Sequence, residues 1–187
     1  ATFTRDMYAC LSKALPKARW DVVAMNDPDA AYDYPAEVTR PLPQNDIDAY
    51  RRLADDLNAQ GTDVVFVQHE FGIYGGPSGR YLLALLERLD MPVVTTLHTI
   101  LEQPNPEQRL VMDALIRLSD TLVTMARKGA EILQRVYGVE PSRVAVIPHG
   151  APSRPLRDTD GFPAELGLPG RQPLNPFGHL TPKQATP

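Results

Sequence analysis

The chain has 187 residues, 43% of them hydrophobic and 22% charged. That is ordinary globular composition, so general disorder and fibrous repeats are excluded. Nineteen Lys and Arg stand against 23 Asp and Glu, a net charge of −4, and a protein built to coat nucleic acid is strongly basic, so no nucleic-acid partner is expected. The one cysteine, Cys10, excludes an internal disulfide frame. No apolar run reaches the roughly 20 residues that cross a bilayer, and no secretory leader pattern opens the chain. The expectation is a cytoplasmic, reducing setting, with a peripheral contact at the inner face of a membrane left open.

Proline is in excess. There are 19, about twice the ordinary share of roughly 5%, and eight of them lie in residues 151–187. Proline forbids long regular elements, so the chain is expected to divide near Gly150. Residues 1–150 read as the folded domain, and 151–187 as linker and poorly structured end.

In chain order, Thr4 reads as a helix cap, with Met7, Tyr8, Leu11 and Leu15 at helical spacing until Pro16. Residues 20–25 read as a short buried strand. Residues 27–44 carry Pro28, Pro35, Pro41 and Pro43, which predicts a long loop with one short strand around Val38. In 46–58, Ile47, Tyr50, Leu53, Ala54 and Leu57 share one helical face, and Gly61 stops it. Residues 63–67 form an almost continuous apolar run, the pattern of a strand covered on both faces.

A helix is predicted over 78–89 and a strand over 92–97. Asn105-Pro106-Glu107-Gln108 supplies a cap, a first-turn proline and an acid for the next helix. A strand over 121–124, a helix over 128–137 ended by Gly138, and a strand over 144–147 complete the series. Strands alternating with helices build right-handed βαβ units and a parallel sheet. The fold class is therefore α/β, a Rossmann-like parallel sheet flanked by helices.

In such sheets ligands bind beyond the carboxyl ends of the strands, where loops converge. Three of four histidines fall there: His69, His98 and His149 each follow a strand. Any one alone fits a solvated loop histidine; together they mark a functional edge. After His69 comes Glu70-Phe71-Gly72-Ile73-Tyr74-Gly75-Gly76-Pro77-Ser78-Gly79, a glycine-rich turn that lets backbone N–H groups approach an anion or a sugar oxygen. Its spacing matches neither the dinucleotide nor the P-loop fingerprint. Glu70 is a candidate acid/base or hydroxyl acceptor. Cys10 lies far along the chain from any histidine, Ser78 lacks a G-x-S-x-G context, and no His-x-x-x-His or Cys-x-x-Cys spacing points to a metal.

Three stretches carry a resemblance: Val65-Phe-Val-Gln-His-Glu-Phe-Gly-Ile-Tyr-Gly-Gly76, Pro92-Val-Val-Thr-Thr-Leu-His-Thr99, and 121–150, ending Val146-Ile-Pro-His-Gly150. In order and spacing they resemble the N-terminal half of a family-4 glycosyltransferase of the GT-B fold. The resemblance implies two Rossmann-like domains facing a cleft, the first binding the acceptor and the second a nucleotide-sugar donor. A sugar would pass from the nucleotide diphosphate to a carbohydrate or lipid-linked acceptor hydroxyl, with retention at the anomeric carbon. His98 is then the catalytic candidate, contacting the reacting sugars, and His69, Glu70, Gly75 and Gly76 border the acceptor. No metal and no cofactor is implied beyond the donor as co-substrate.

The sequence departs from that family at both ends. The family's first strand and its glycine loop are missing before Ala1-Thr-Phe-Thr-Arg-Asp-Met7. That strand would sit between the strands near 20–25 and 64–67, so unpaired edges and a weakened domain are expected. Residues 166–171 and 177–183 resemble the opening of the donor domain, with Lys183 in the place of a phosphate-binding lysine. Pro173 and Pro176, however, break the strand between them, and Gln184 replaces a glycine. The expectation is an acceptor-domain fragment, inactive without a C-terminal donor domain. A stand-alone α/β sugar-binding module and another GT-B enzyme, such as a nucleotide-sugar epimerase, remain alternatives.

Overall fold

A computed structural model describes residues 2–27 and 32–150. Residues 151–187, with Lys183 and the expected donor-domain start, lie outside the described residues. Helix α1 (Thr2–Ala14) leads to strand β1 (Val22–Asn26), which pairs in parallel with β2 (Val38–Pro43). Helix α2 (Ile47–Ala59) follows, and then β3 (Val65–His69), α3 (Tyr81–Leu86), β4 (Val93–Leu97), α4 (Pro106–Leu118), β5 (Thr121–Thr124), α5 (Arg127–Tyr137) and β6 (Val144–Val146). The last four strands form one parallel sheet in the order β3-β4-β5-β6.

Several boundaries differ from the sequence reading. Thr4 does not cap; it lies inside α1. The short strand expected around Val38 is present as the six-residue β2, and it runs further than expected, through Pro41 and Pro43. Those two prolines are tolerated because, among the described residues, β2 pairs only with β1 and residues two apart point to the same edge, so both missing N–H groups face away from the ladder. The helix expected over 78–89 is broken. A 3₁₀ turn over Pro77–Gly79, with Ser78 at φ 52°, precedes the short α3. Strand β3 runs two residues further than expected, so His69 ends the strand rather than following it.

The strands step consistently along the four-stranded sheet, and right-handed crossovers then put every intervening helix on one face. That face carries Val65, Val67, Val93, Leu97 and Leu122, packed against Tyr50, Leu53 and Leu57 of α2, Leu82, Leu85 and Leu86 of α3, Val111, Met112 and Leu115 of α4, and Leu133 of α5. The opposite face was expected to be equally covered; among the described residues it is not. Phe66 on that face is 39% exposed, and α1, which reaches Gln68 through Met7, buries none of its described side chains fully.

Two sheets stand where one continuous sheet would be usual. Strands β1 and β3 share no ladder, although Val23, Met25 and Val65 pack on the same core. The expected unpaired edge on β3 is therefore present among the described residues. The reason is in the ladder itself: a strand edge is satisfied only by a parallel or antiparallel partner, and no described segment supplies one.

Tyr50 ties the core to the loops above it. Fully buried, it donates its hydroxyl to the Gln44 carbonyl at 2.9 Å and accepts from the Gly75 N–H at 3.2 Å. Tyr50→Phe leaves both groups without their partner inside the fold, and an unmet buried polar group costs about 1–3 kcal/mol. Urea denaturation is expected to show a loss of about 2 kcal/mol; an unchanged midpoint would show that solvent replaces the hydroxyl without cost.

Candidate functional site at the carboxyl ends of the strands

The carboxyl ends of β3 and β4 lie side by side because the two strands run in register, with His69 opposite Leu97. The His98 N–H continues the ladder by donating to the His69 carbonyl at 3.0 Å. Alternation along β3 sends Val67 and His69 to the helical face and Gln68 to the other. Gln68 Oε1 meets His98 Nε2 at 3.0 Å. Phe3 of α1 stands edge-on to both the His98 ring, at 4.8 Å between centroids, and the His149 ring, at 5.6 Å. Glu70 accepts from the Thr99 hydroxyl at 2.8 Å, which pins the loop after β3 to the loop after β4.

His98 and His149 thus share one cluster with Glu70, as expected from their places after the strands. His69 belongs to the same strand ends but faces the other way. It is fully buried, with its ring edge-on to Phe71 and stacked on Tyr74. Neither ring nitrogen reaches a hydrogen-bond partner among the described residues. Burial, with the nearby His98 adding to it, pushes the His69 imidazole down to about 4. His69 is consequently a core residue beneath the site and not a loop histidine on its rim.

His98 is half-buried, and burial holds its pKa below the usual histidine value. Glu70 opposes that displacement and His149 reinforces it. Glu70 is half-buried and so remains reachable from solvent.

The glycine-rich turn serves packing first. The Gly75 N–H is already taken by Tyr50, and a Cβ on Gly75 would fall 2.0 Å from the Gln44 carbonyl oxygen. Gly76 adopts φ 76° with its α-carbon against the Tyr81 ring. Gln44 closes the contact by donating Nε2–H to the Ile73 carbonyl at 3.0 Å, and the Tyr74 hydroxyl returns to the Gln68 carbonyl at 2.8 Å. The turn is thereby clamped between the loop before α2 and the end of β3, and the Gly75 N–H is not free to meet a ligand.

Phe3, Gln68 and Thr99 belong to the cluster and were not singled out as site residues from the sequence. Gln68 carried a signal: it is the polar residue in an otherwise apolar strand, one place before a strand-end histidine. Away from this cluster, a groove of about 490 Å³ lies between α2, α3 and α4, lined by Arg51, Arg80 and Arg117 with Glu87 and Asp113. It shares no residue with the strand ends. Among the described residues no group of three or more His, Cys, Asp or Glu gathers as metal ligands, and no helix is long and apolar enough to cross a membrane.

A parallel sheet with the helices between its strands on one face defines a Rossmann-like α/β fold, and the histidine–carboxylate cluster lies where the strands end. The sequence profile of Glycosyltransferase Family 4 matches residues 8–153, and the chain belongs to that family. Among similar proteins, a D-inositol 3-phosphate glycosyltransferase of Xylanimonas cellulosilytica is 33% identical, over 47% of this chain and 26% of its own. One from Rhodococcus erythropolis is 29% identical, over 63% of this chain and 31% of its own. The chain therefore spans between a quarter and a third of these relatives. The crystal structure of a glycosyltransferase from Rickettsia africae superimposes with a TM-score of 0.53 at 10% identity, over 83% of this chain and 51% of that one. At that identity the likeness concerns the fold.

Proposed function

We propose that residues 1–150 are the acceptor-binding domain of a retaining glycosyltransferase that uses a nucleotide-sugar donor. The reading is supported by one observation above the others: in a chain of this family, His98, Gln68, Glu70, Thr99 and His149 converge at the carboxyl ends of the strands. An acceptor hydroxyl would attack the anomeric carbon as the bond to the departing nucleoside diphosphate breaks, the hydroxyl proton passing to the departing diphosphate oxygen. The demand on this domain is to hold and orient that hydroxyl. His98, kept largely neutral near pH 7 by burial, can hydrogen-bond a sugar hydroxyl without competing as a cation. Glu70, anchored by Thr99, can accept from a second hydroxyl. D-inositol 3-phosphate, for which the relatives are named, is the first acceptor to offer.

Transfer needs a nucleotide-sugar site on the opposing domain. The 187 residues alone are expected to release no nucleoside diphosphate from any nucleotide sugar, whereas fusion to the donor domain of such a relative is expected to restore release. In the fused protein His98→Ala should lower kcat/KM by about 100-fold, the scale of losing one positioned hydrogen-bonding group at a reacting centre. Turnover by the chain alone would overturn the two-domain reading, and a fully active His98→Ala fusion would remove His98 from the chemistry. The anomeric configuration of the product, read by NMR, tests retention.

A further inference from the structure

His98 has two ring nitrogens, and only one of them can carry the proton while the ring is neutral. Which one it is decides whether the ring offers the crevice an N–H or a lone pair. Nε2 lies 3.0 Å from Gln68 Oε1. The other end of the same amide, Nε2 of Gln68, lies 3.6 Å from Met7 Sδ. A thioether sulfur is a weak acceptor and cannot donate. The amide therefore gains a contact at both ends only with its NH₂ toward Met7 and its oxygen toward His98. An amide oxygen can only accept, so His98 Nε2 must bear the proton.

The geometry points to Gln68 as a positioning residue that fixes His98 in the Nε2–H tautomer and leaves Nδ1 as a hydrogen-bond acceptor for a substrate hydroxyl. The substrate part rests on the function proposed above; the tautomer does not.

Three further features hold the arrangement. Gln68 sits in the β3–β4 ladder opposite Thr96. Its carbonyl accepts from the Tyr74 hydroxyl at 2.8 Å, fixing the strand end. Phe3, edge-on at 4.8 Å, limits rotation of the imidazole. Of the two ring nitrogens, Nε2 is the one engaged by Gln68, and Nδ1 is the one left to meet a hydroxyl. A hydroxyl that donates to a neutral nitrogen has its oxygen lone pairs free, and those are what attack an anomeric carbon. An N–H in the same place would occupy one of them.

The test uses the whole 187-residue chain, labelled with ¹⁵N, and needs no enzymatic turnover. Long-range proton–nitrogen correlation spectra near neutral pH report which His98 nitrogen is protonated. The expected result is a pyridine-type Nδ1 and a protonated Nε2. Gln68→Met keeps the length and removes the acceptor, and should give a mixture of tautomers. Gln68→Glu keeps an acceptor, and should preserve the tautomer while raising the pH at which His98 titrates, because a carboxylate favours the imidazolium. A pyridine-type Nε2 in the unaltered chain overturns the proposal without recourse to any variant, as does a tautomer unchanged in Gln68→Met. If the tautomer is as stated but His98→Ala leaves the donor-fused protein fully active, the functional reading fails and the positioning role of Gln68 stands.

Discussion

Gly75→Ala is expected to destabilise the domain by about 3 kcal/mol or more, the upper range for forcing atoms into a packed interior. The added Cβ would lie 2.0 Å from the Gln44 carbonyl oxygen and 2.7 Å from the Tyr81 ring. A flexible side chain could swing away, but the oxygen is backbone, held by the Tyr50 hydroxyl at 2.9 Å. Relief therefore requires the loop before α2 to move, and that movement pulls on Tyr50, a fully buried side chain at the centre of the larger core. Gly72→Ala is the matched control in the same turn. Nothing lies within 4 Å of its would-be Cβ, and its backbone is not in the left-handed region, so a change within about 0.5 kcal/mol is expected. Thermal melts of the two variants should separate by roughly 6–12 °C for a domain of this size. Equal melting temperatures would mean that the turn is not clamped to the α2 loop.

That contact also shows what sequence reasoning could reach and where it stopped. The strand–helix rhythm from β3 to β6 was legible because the signals are local. Asn105 and Gln108 form a reciprocal capping box at the start of α4, and Gly138 closes α5 at φ 68°. The glycines at 75 and 76 were legible as a special turn, but their purpose was not. Close approach to Gln44, thirty-one residues earlier, is a tertiary fact that no local pattern carries. A short strand around Val38 was legible, but its run through Pro41 and Pro43 was not, because prolines outweigh propensity and it is the edge position of β2 that makes these two harmless. The place of His98 and Glu70 followed from a rule about parallel sheets. Phe3 could not follow from it, since its contact with His98 and His149 depends on where α1 settles. The reading of β3 as ending at Val67 had a larger consequence. It put His69 in a loop and hid the alternation that assigns Gln68 to the site and His69 to the core.

Because His69 is a core residue, the domain's stability should depend on pH in a defined window. The buried ring stays neutral down to about pH 4, whereas an exposed histidine in the unfolded chain takes up a proton near 6.5. Above pH 6.5 neither state is protonated at this position, and His69 contributes no pH dependence. As pH falls from 6.5 toward 4 the unfolded chain binds a proton that the folded one refuses, so stability is lost with a slope approaching about 1.4 kcal/mol per pH unit. Below about 4 both states are protonated and the loss stops growing, having reached about 3 kcal/mol. His98, also displaced downward by burial, adds a change of the same sign. The contribution of His69 alone is isolated by His69→Leu, which fills similar space with a side chain that cannot ionise. Urea unfolding of both proteins should give a stability difference that is constant above pH 6.5 and moves by about 3 kcal/mol in favour of the variant as pH approaches 4. A difference that stays flat across that window would mean His69 is protonated in the folded state. The ring would then need a carboxylate or solvent contact that its packing between Phe71 and Tyr74 does not provide.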